Sequence, residues 1–113
     1  MNNKKKEYRF QFGKNWHSYL KTLNNFKIQE AENSLKKMFD IQSFKGKRFL
    51  DIGCGSGLFS LAARNLGAEV FSFDYDQESV EATKLLKRRF FSNCQKWKIE
   101  QGSVLDKKYI KNF

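Results

Sequence analysis

The spacing of apolar positions changes several times along the chain, and each change marks an element. Residues 27–39 carry Ile28, Ala31, Leu35, Met38 and Phe39 at helical spacing, which predicts an amphipathic helix. Residues 47–52 form a short apolar run around Phe49, Leu50 and Ile52 and predict a strand. Gly53, Gly55 and Gly57 follow, and helical spacing returns over 57–66 with Leu58, Leu61 and Ala62. Gly67 stands where a helix-ending C′ glycine belongs. Glu69-Val70-Phe71-Ser72-Phe73 alternates, which predicts a strand over 69–74. A helix over 77–91 places Val80, Thr83, Leu86 and Phe90 on one face, with Ala82 and Leu85 beside them. Its other face carries Lys84, Lys87, Arg88 and Arg89, and Asp76 precedes it as a candidate N-cap. A last strand falls at 96–100. Strands alternating with helices predict an α/β fold with a parallel sheet and right-handed crossovers.

The turn at 53–57 carries the chemistry. Glycine adopts positive φ and has no Cβ, so the backbone can bend sharply and let a ligand approach. A glycine-rich turn from strand to helix is a nucleotide-type site. Asp51 just before it is a poor neighbour for pyrophosphate and a good one for an ammonium group. A dinucleotide fingerprint would need Gly or Ala where Leu58 or Ser60 stands, and the Gly-Lys-Ser/Thr ending of a P-loop does not occur.

Asp51-Ile52-Gly53-Cys54-Gly55-Ser56-Gly57 resembles D/E-x-G-x-G-x-G, the first motif of class I S-adenosylmethionine-dependent methyltransferases. The resemblance implies a cofactor site. Gly53, Cys54, Gly55 and Gly57 would admit the methionine part of S-adenosylmethionine, and Asp51 would order the turn and face the ammonium group. Asp74 closes the second strand, where family members bind both ribose hydroxyls through a carboxylate able to accept at two oxygens. Tyr75 offers a flat surface for adenine. Ser103 and Val104 lie where the family touches the adenine edge, with Ser103 in place of the more usual aspartate.

The fold implied is a three-layer Rossmann-like parallel sheet in the family's strand order 3-2-1-4-5-7-6, truncated after about three strands. An N-terminal helical extension over 1–45 precedes the incomplete methyltransferase portion over 46–113. The fourth strand and the loop where the family meets its substrate fall outside these residues, so no catalytic residue is named. The expectation is a truncated chain, a sequencing fragment or one part of a split protein, inactive alone, whose partner is the missing C-terminal half or a complementing chain. Phe12-Gly13-Lys14-Asn15-Trp16 resembles a segment ahead of the core in bacterial small-molecule methyltransferases, with Lys14 or Trp16 reaching the methionine end of the cofactor, or Trp16 anchoring the extension on the domain. A small-molecule substrate is therefore the first expectation.

Charge supplies the competing one. The 113 residues carry a formal net charge of +10, and Lys87-Arg88-Arg89-Phe90-Phe91 and Lys96-Trp97-Lys98 mix basic and aromatic residues. That pattern suits an RNA or DNA methyltransferase or a basic nucleic-acid-binding module. The charge is spread over the whole chain, as on a solvated surface, and nucleic acid stands second. Cys54 and Cys94 make no metal signature, and His17 is the sole histidine, so zinc chemistry is not expected. No apolar run reaches the roughly 18 residues of a membrane span. Lys4-Lys5-Lys6 is not followed by the apolar stretch of a secretory signal, and the expected location is cytoplasmic.

Overall fold

A computed structural model describes residues 22–102. Six elements follow one another: α1 (Asn25–Phe39), β1 (Arg48–Ile52), α2 (Leu58–Asn65), β2 (Glu69–Asp74), α3 (Gln77–Phe91) and β3 (Trp97–Gln101). Lys14, Trp16, Ser103 and Val104 lie outside the described residues.

The three strands form one parallel sheet in the order β1-β2-β3, as expected for the first half of a Rossmann-like fold. Asp51 pairs with Ser72 and Ile52 with Phe73, while Val70 pairs with Trp97 and Asp74 with Gln101. This register aligns the C-terminal ends of β1 and β2, where the acidic residues stand. Strand periodicity puts Phe49, Asp51, Val70, Ser72, Trp97 and Ile99 on the face that meets the helices. Leu50, Ile52, Phe71 and Phe73 take the opposite face, where the rings of Phe71 and Phe73 meet edge-on at 5.7 Å. Arg48 and Glu69, opposite each other at the start of the strands, form an exposed ion pair at 3.6 Å, worth little in water.

Helix α1 begins two residues before the apolar spacing does, because Asn24 caps it by accepting the Lys27 N–H at 2.9 Å. Ile28, Ala31 and Leu35 are buried against α2, where Leu61, Ala62 and Ala63 are fully enclosed. The two alanines let the helices approach closely. Met38 and Phe39, expected on the same face, leave it in the last turn and are 70% and 51% exposed. Phe39 instead meets the rings of Phe44 at 5.7 Å and Phe49 at 6.3 Å.

The end of α2 matches the glycine signal. The Gly67 N–H bonds to the Arg64 carbonyl and the Ala68 N–H to the Ala63 carbonyl, both at 3.0 Å, in a Schellman pattern. In α3, Val80, Ala82, Thr83 and Leu86 are buried as expected, but Phe90 is not. Trp97 fills the space beneath the last turn, and Phe91 meets it edge-on at 6.2 Å. Phe90 turns outward under the guanidinium of Arg89. No helix among the described residues is long and apolar enough to cross a membrane.

Candidate functional site

The site is built where β1 gives way to α2. The Gly53 N–H donates to the Phe73 carbonyl at 2.8 Å and the Cys54 N–H to the same oxygen at 3.3 Å, which ties the turn to the end of β2. The Gly57 N–H closes the turn onto the Cys54 carbonyl, and the Gly57 carbonyl accepts the Leu61 N–H, the first bond of α2, both at 2.9 Å. The glycines serve different purposes. A Cβ on Gly57 would lie 2.9 Å from the Thr83 methyl and 3.2 Å from its Cα, at a φ of +86°. A Cβ on Gly53 or Gly55 would meet nothing within 4 Å. Gly57 thus faces the protein, while Gly53 and Gly55 face open space.

Asp74 binds three segments together. Its Oδ2 accepts the Gly55 N–H at 3.1 Å, its Oδ1 the Asp76 N–H at 2.8 Å, and its carbonyl the Gly102 N–H at 3.0 Å. Each carboxylate oxygen can accept a second hydrogen bond, so capacity for a ligand remains. Tyr75 is 77% exposed beside it, and its carbonyl accepts from the Gln101 amide at 3.2 Å. Asp76 occupies the N-cap position, but its carboxylate accepts the Ser79 hydroxyl at 3.0 Å and caps no backbone N–H.

Asp51 ends up partly enclosed. The Ser60 hydroxyl donates to its Oδ2 at 2.6 Å. Burial pushes its pKa above the ordinary carboxylate value; the Ser60 hydrogen bond opposes this, and the negative charge of Asp74 adds to it. A carboxyl with a raised folded-state pKa holds its proton more tightly folded than unfolded. Its contribution to stability is therefore fully present below the unfolded value, about 3.9, and is lost as pH rises through the folded one. Asp51→Asn is expected to raise the melting temperature of the ligand-free protein at pH 7, with the gain shrinking towards pH 4. Calorimetric melting across that range checks this, and a variant less stable at pH 7 would contradict it.

Cys54, grouped with the ligand-facing residues on sequence, turns inward. It is buried, with its sulfur 3.3 Å from the Thr83 Oγ1. Burial is the main cause that pushes its pKa up to about 11, so the thiol stays protonated. Thiol labelling at pH 8 is expected to modify the half-buried Cys94 first and Cys54 only on unfolding. Fast labelling of Cys54 in the folded protein would contradict its enclosure.

The sequence reading missed three residues that shape the site. Thr83 donates towards the carbonyls of Gly55 at 3.1 Å and Ser79 at 2.9 Å, so it fastens the glycine turn to α3. Ser60 and Ser72 lie 2.5 Å apart, both fully buried, beneath Asp51. The signal available was a hydroxyl on an otherwise apolar face, which is costly unless bonded.

The sequence model of the ribosomal protein L11 methyltransferase (PrmA) family matches residues 29–104. A ribosomal protein L11 methyltransferase of Campylobacter hominis is 34% identical over 77 residues, covering 68% of this chain and 25% of that protein. One of Prochlorococcus marinus is 42% identical over 83 residues, covering 70% and 27%. The chain thus spans about a quarter of the length of these curated relatives. Among solved structures, the N-terminal domain of EvdMO1, with SAH bound, superposes with a TM-score of 0.53. It covers 83% of this chain and 37% of that one, at 18% identity, a likeness of fold. The relatives are named for a protein substrate, which overturns the expectation of a small-molecule acceptor and lends no support to nucleic acid as the second choice. The charge pattern misled because it describes the surface as a whole, and the Phe12–Trp16 segment because it lies apart from the matched residues.

Proposed function

The chain belongs to the ribosomal protein L11 methyltransferase family, and from that premise we propose that it forms the S-adenosylmethionine-holding part of an enzyme that methylates a ribosomal protein. The observation that carries this reading is the pairing of two carboxylates with an open turn. Asp51 and Asp74 close neighbouring parallel strands, and the turn between them leaves space above Gly53 and Gly55.

The residues fit the cofactor. Among the described residues only Ser60 bonds to the Asp51 carboxylate, at Oδ2, so Oδ1 is left to accept from an ammonium group. The Asp74 oxygens, already steadied by two backbone N–H groups, take the ribose hydroxyls with their remaining lone pairs. Tyr75 supplies an exposed ring for the adenine face. Bound S-adenosylmethionine supplies a methyl group made electrophilic by its sulfonium. The contribution of this chain is to fix that methyl in place for an in-line attack, a matter of orientation more than of acid or base. A cytoplasmic location, where ribosomes are assembled, goes with this reading.

Two measurements test it. Calorimetric titration with S-adenosylmethionine is expected to show one site per chain, and NAD no binding. Transfer of labelled methyl by the protein containing this chain is expected on ribosomal protein L11 and not on free metabolites. Tight NAD binding without S-adenosylmethionine binding would overturn the cofactor; labelled metabolites with unlabelled ribosomal proteins would overturn the acceptor.

A further inference from the structure

Beneath the site, a line of hydrogen bonds crosses four elements. Trp97 Nε1 on β3 lies 2.9 Å from the Ser72 Oγ on β2, which lies 2.5 Å from the Ser60 Oγ on α2, which lies 2.6 Å from the Asp51 Oδ2 on β1. Trp97, Ser72 and Ser60 are all fully buried. Counting protons fixes the direction. An indole N–H only donates, a carboxylate only accepts, and each hydroxyl has one proton. Trp97 therefore donates to Ser72, Ser72 to Ser60, and Ser60 to Asp51. Each serine donates once and accepts once, and the line ends on a charge, so its members strengthen one another.

We propose that Ser60, Ser72 and Trp97 are positioning residues that hold one oxygen of Asp51 and so present the other to the ammonium group of the bound cofactor. The proposal rests on the cofactor reading given above. It goes beyond that reading because none of the three residues reaches the ligand space: they act only through Asp51. A set of core hydroxyls that merely satisfied each other would not need to end on the carboxylate at the mouth of the turn.

Among the described residues, the charged surroundings of Asp51 are simple. The carboxylate of Asp74 on β2 acts on it electrostatically, and the adjacent Cys54 thiol is protonated. On α2, Arg64 lies a turn beyond Ser60, bonded to the Ala68 carbonyl and over the Phe91 ring. On α3, the nearest contact with the turn is the uncharged Thr83, and the Asp76 carboxylate before it is bonded to Ser79. Glu32 on α1 is bonded to Asn65 at the far end of α2. Removing the Ser60 donor leaves burial and Asp74 unopposed, so Asp51 should hold its proton to higher pH.

The test follows the Asp51 carboxyl by carbon NMR in the ligand-free chain and measures S-adenosylmethionine affinity between pH 5 and 8. In Ser60→Ala the Asp51 titration is expected to move upward. Affinity should fall about tenfold near pH 6 and by less at pH 8, since a donor to a charged group is lost. Trp97→Phe keeps an aromatic ring in the core and removes only the first donor, so it serves where Ser60→Ala folds poorly. It is expected to move the titration the same way by a smaller step and to weaken binding two- to threefold. An Asp51 titration unmoved in both variants overturns the proposal, as does an affinity unchanged in both across the pH range while the parent binds. A titration that moves in the variants while the parent binds no S-adenosylmethionine supports the hydrogen-bonded line and overturns the cofactor reading instead.

Discussion

Gly57→Ala is expected to destabilise the protein by about 2–5 kcal/mol. The left-handed backbone at Gly57, with φ of +86°, costs an L-residue about 1–2 kcal/mol. The new methyl would sit 2.9 Å from the Thr83 methyl, and overpacking of this kind adds about 1–3 kcal/mol. Against a total stability of about 5–15 kcal/mol, that leaves a substantially weakened fold. Denaturant unfolding checks it, and Thr83→Ala separates the two parts. In that background the contact with the side chain is gone, the backbone cost remains, and Gly57→Ala should lose roughly half its effect. An unchanged midpoint in Gly57→Ala would show that the turn does not need this close approach. Gly55→Ala offers the contrast. Its Cβ would enter open space at a φ of +57°, so the loss of stability should be smaller and the loss of ligand affinity larger.

Asp74→Ala is the second large effect. Replacing the carboxylate removes the acceptor proposed for the ribose hydroxyls and also the acceptor for the Gly55 N–H. Lost hydrogen bonds to a charged acceptor cost about 1.5–3 kcal/mol, so affinity for S-adenosylmethionine should fall roughly ten- to hundredfold. The neighbouring Asp76→Ala removes only a bond to Ser79 and should change affinity by less than about threefold. Calorimetry on both variants distinguishes a ribose-binding carboxylate from a general need for negative charge at the mouth. Equal losses in the two would remove Asp74 from its assigned role.

Much of this architecture was legible because local signals agreed. Alternation in Glu69–Phe73, the glycine at 67 and the acidic residue before the glycine turn each specify a local backbone, and the parallel sheet satisfies all of them together. What escaped were features decided by packing between distant segments. Phe90 and Phe91 are both apolar at the end of α3, and only the bulk of Trp97 decides which one turns inward. Thr83 reads as an ordinary member of an apolar stripe until Gly55 and Cys54 are brought against it. The acceptor was misjudged for a different reason. Nothing in residues 46–102 encodes it, so the expectation leaned on the overall charge and on a short N-terminal segment.

The hydrogen bonds of the site also set how it can form in time. Among the described side-chain bonds of the site, the longest sequence separation is 29 residues, between Cys54 and Thr83. Ser60 and Ser72 are 12 apart and Asp51 and Ser60 only 9. Each of these separations lies within one or two neighbouring strand–helix–strand units, so closing them costs less loop entropy than joining segments farther apart in the chain, although parallel pairing is itself among the slower steps of folding. A chain elongates at about 5–20 residues per second, far slower than a unit of this kind closes. Once β3 has emerged from the ribosome, the turn N–H groups, both carboxylates and the line from Trp97 have the partners described above. The cofactor-holding part can therefore take shape during synthesis, with β1 at the edge of the sheet among the described strands.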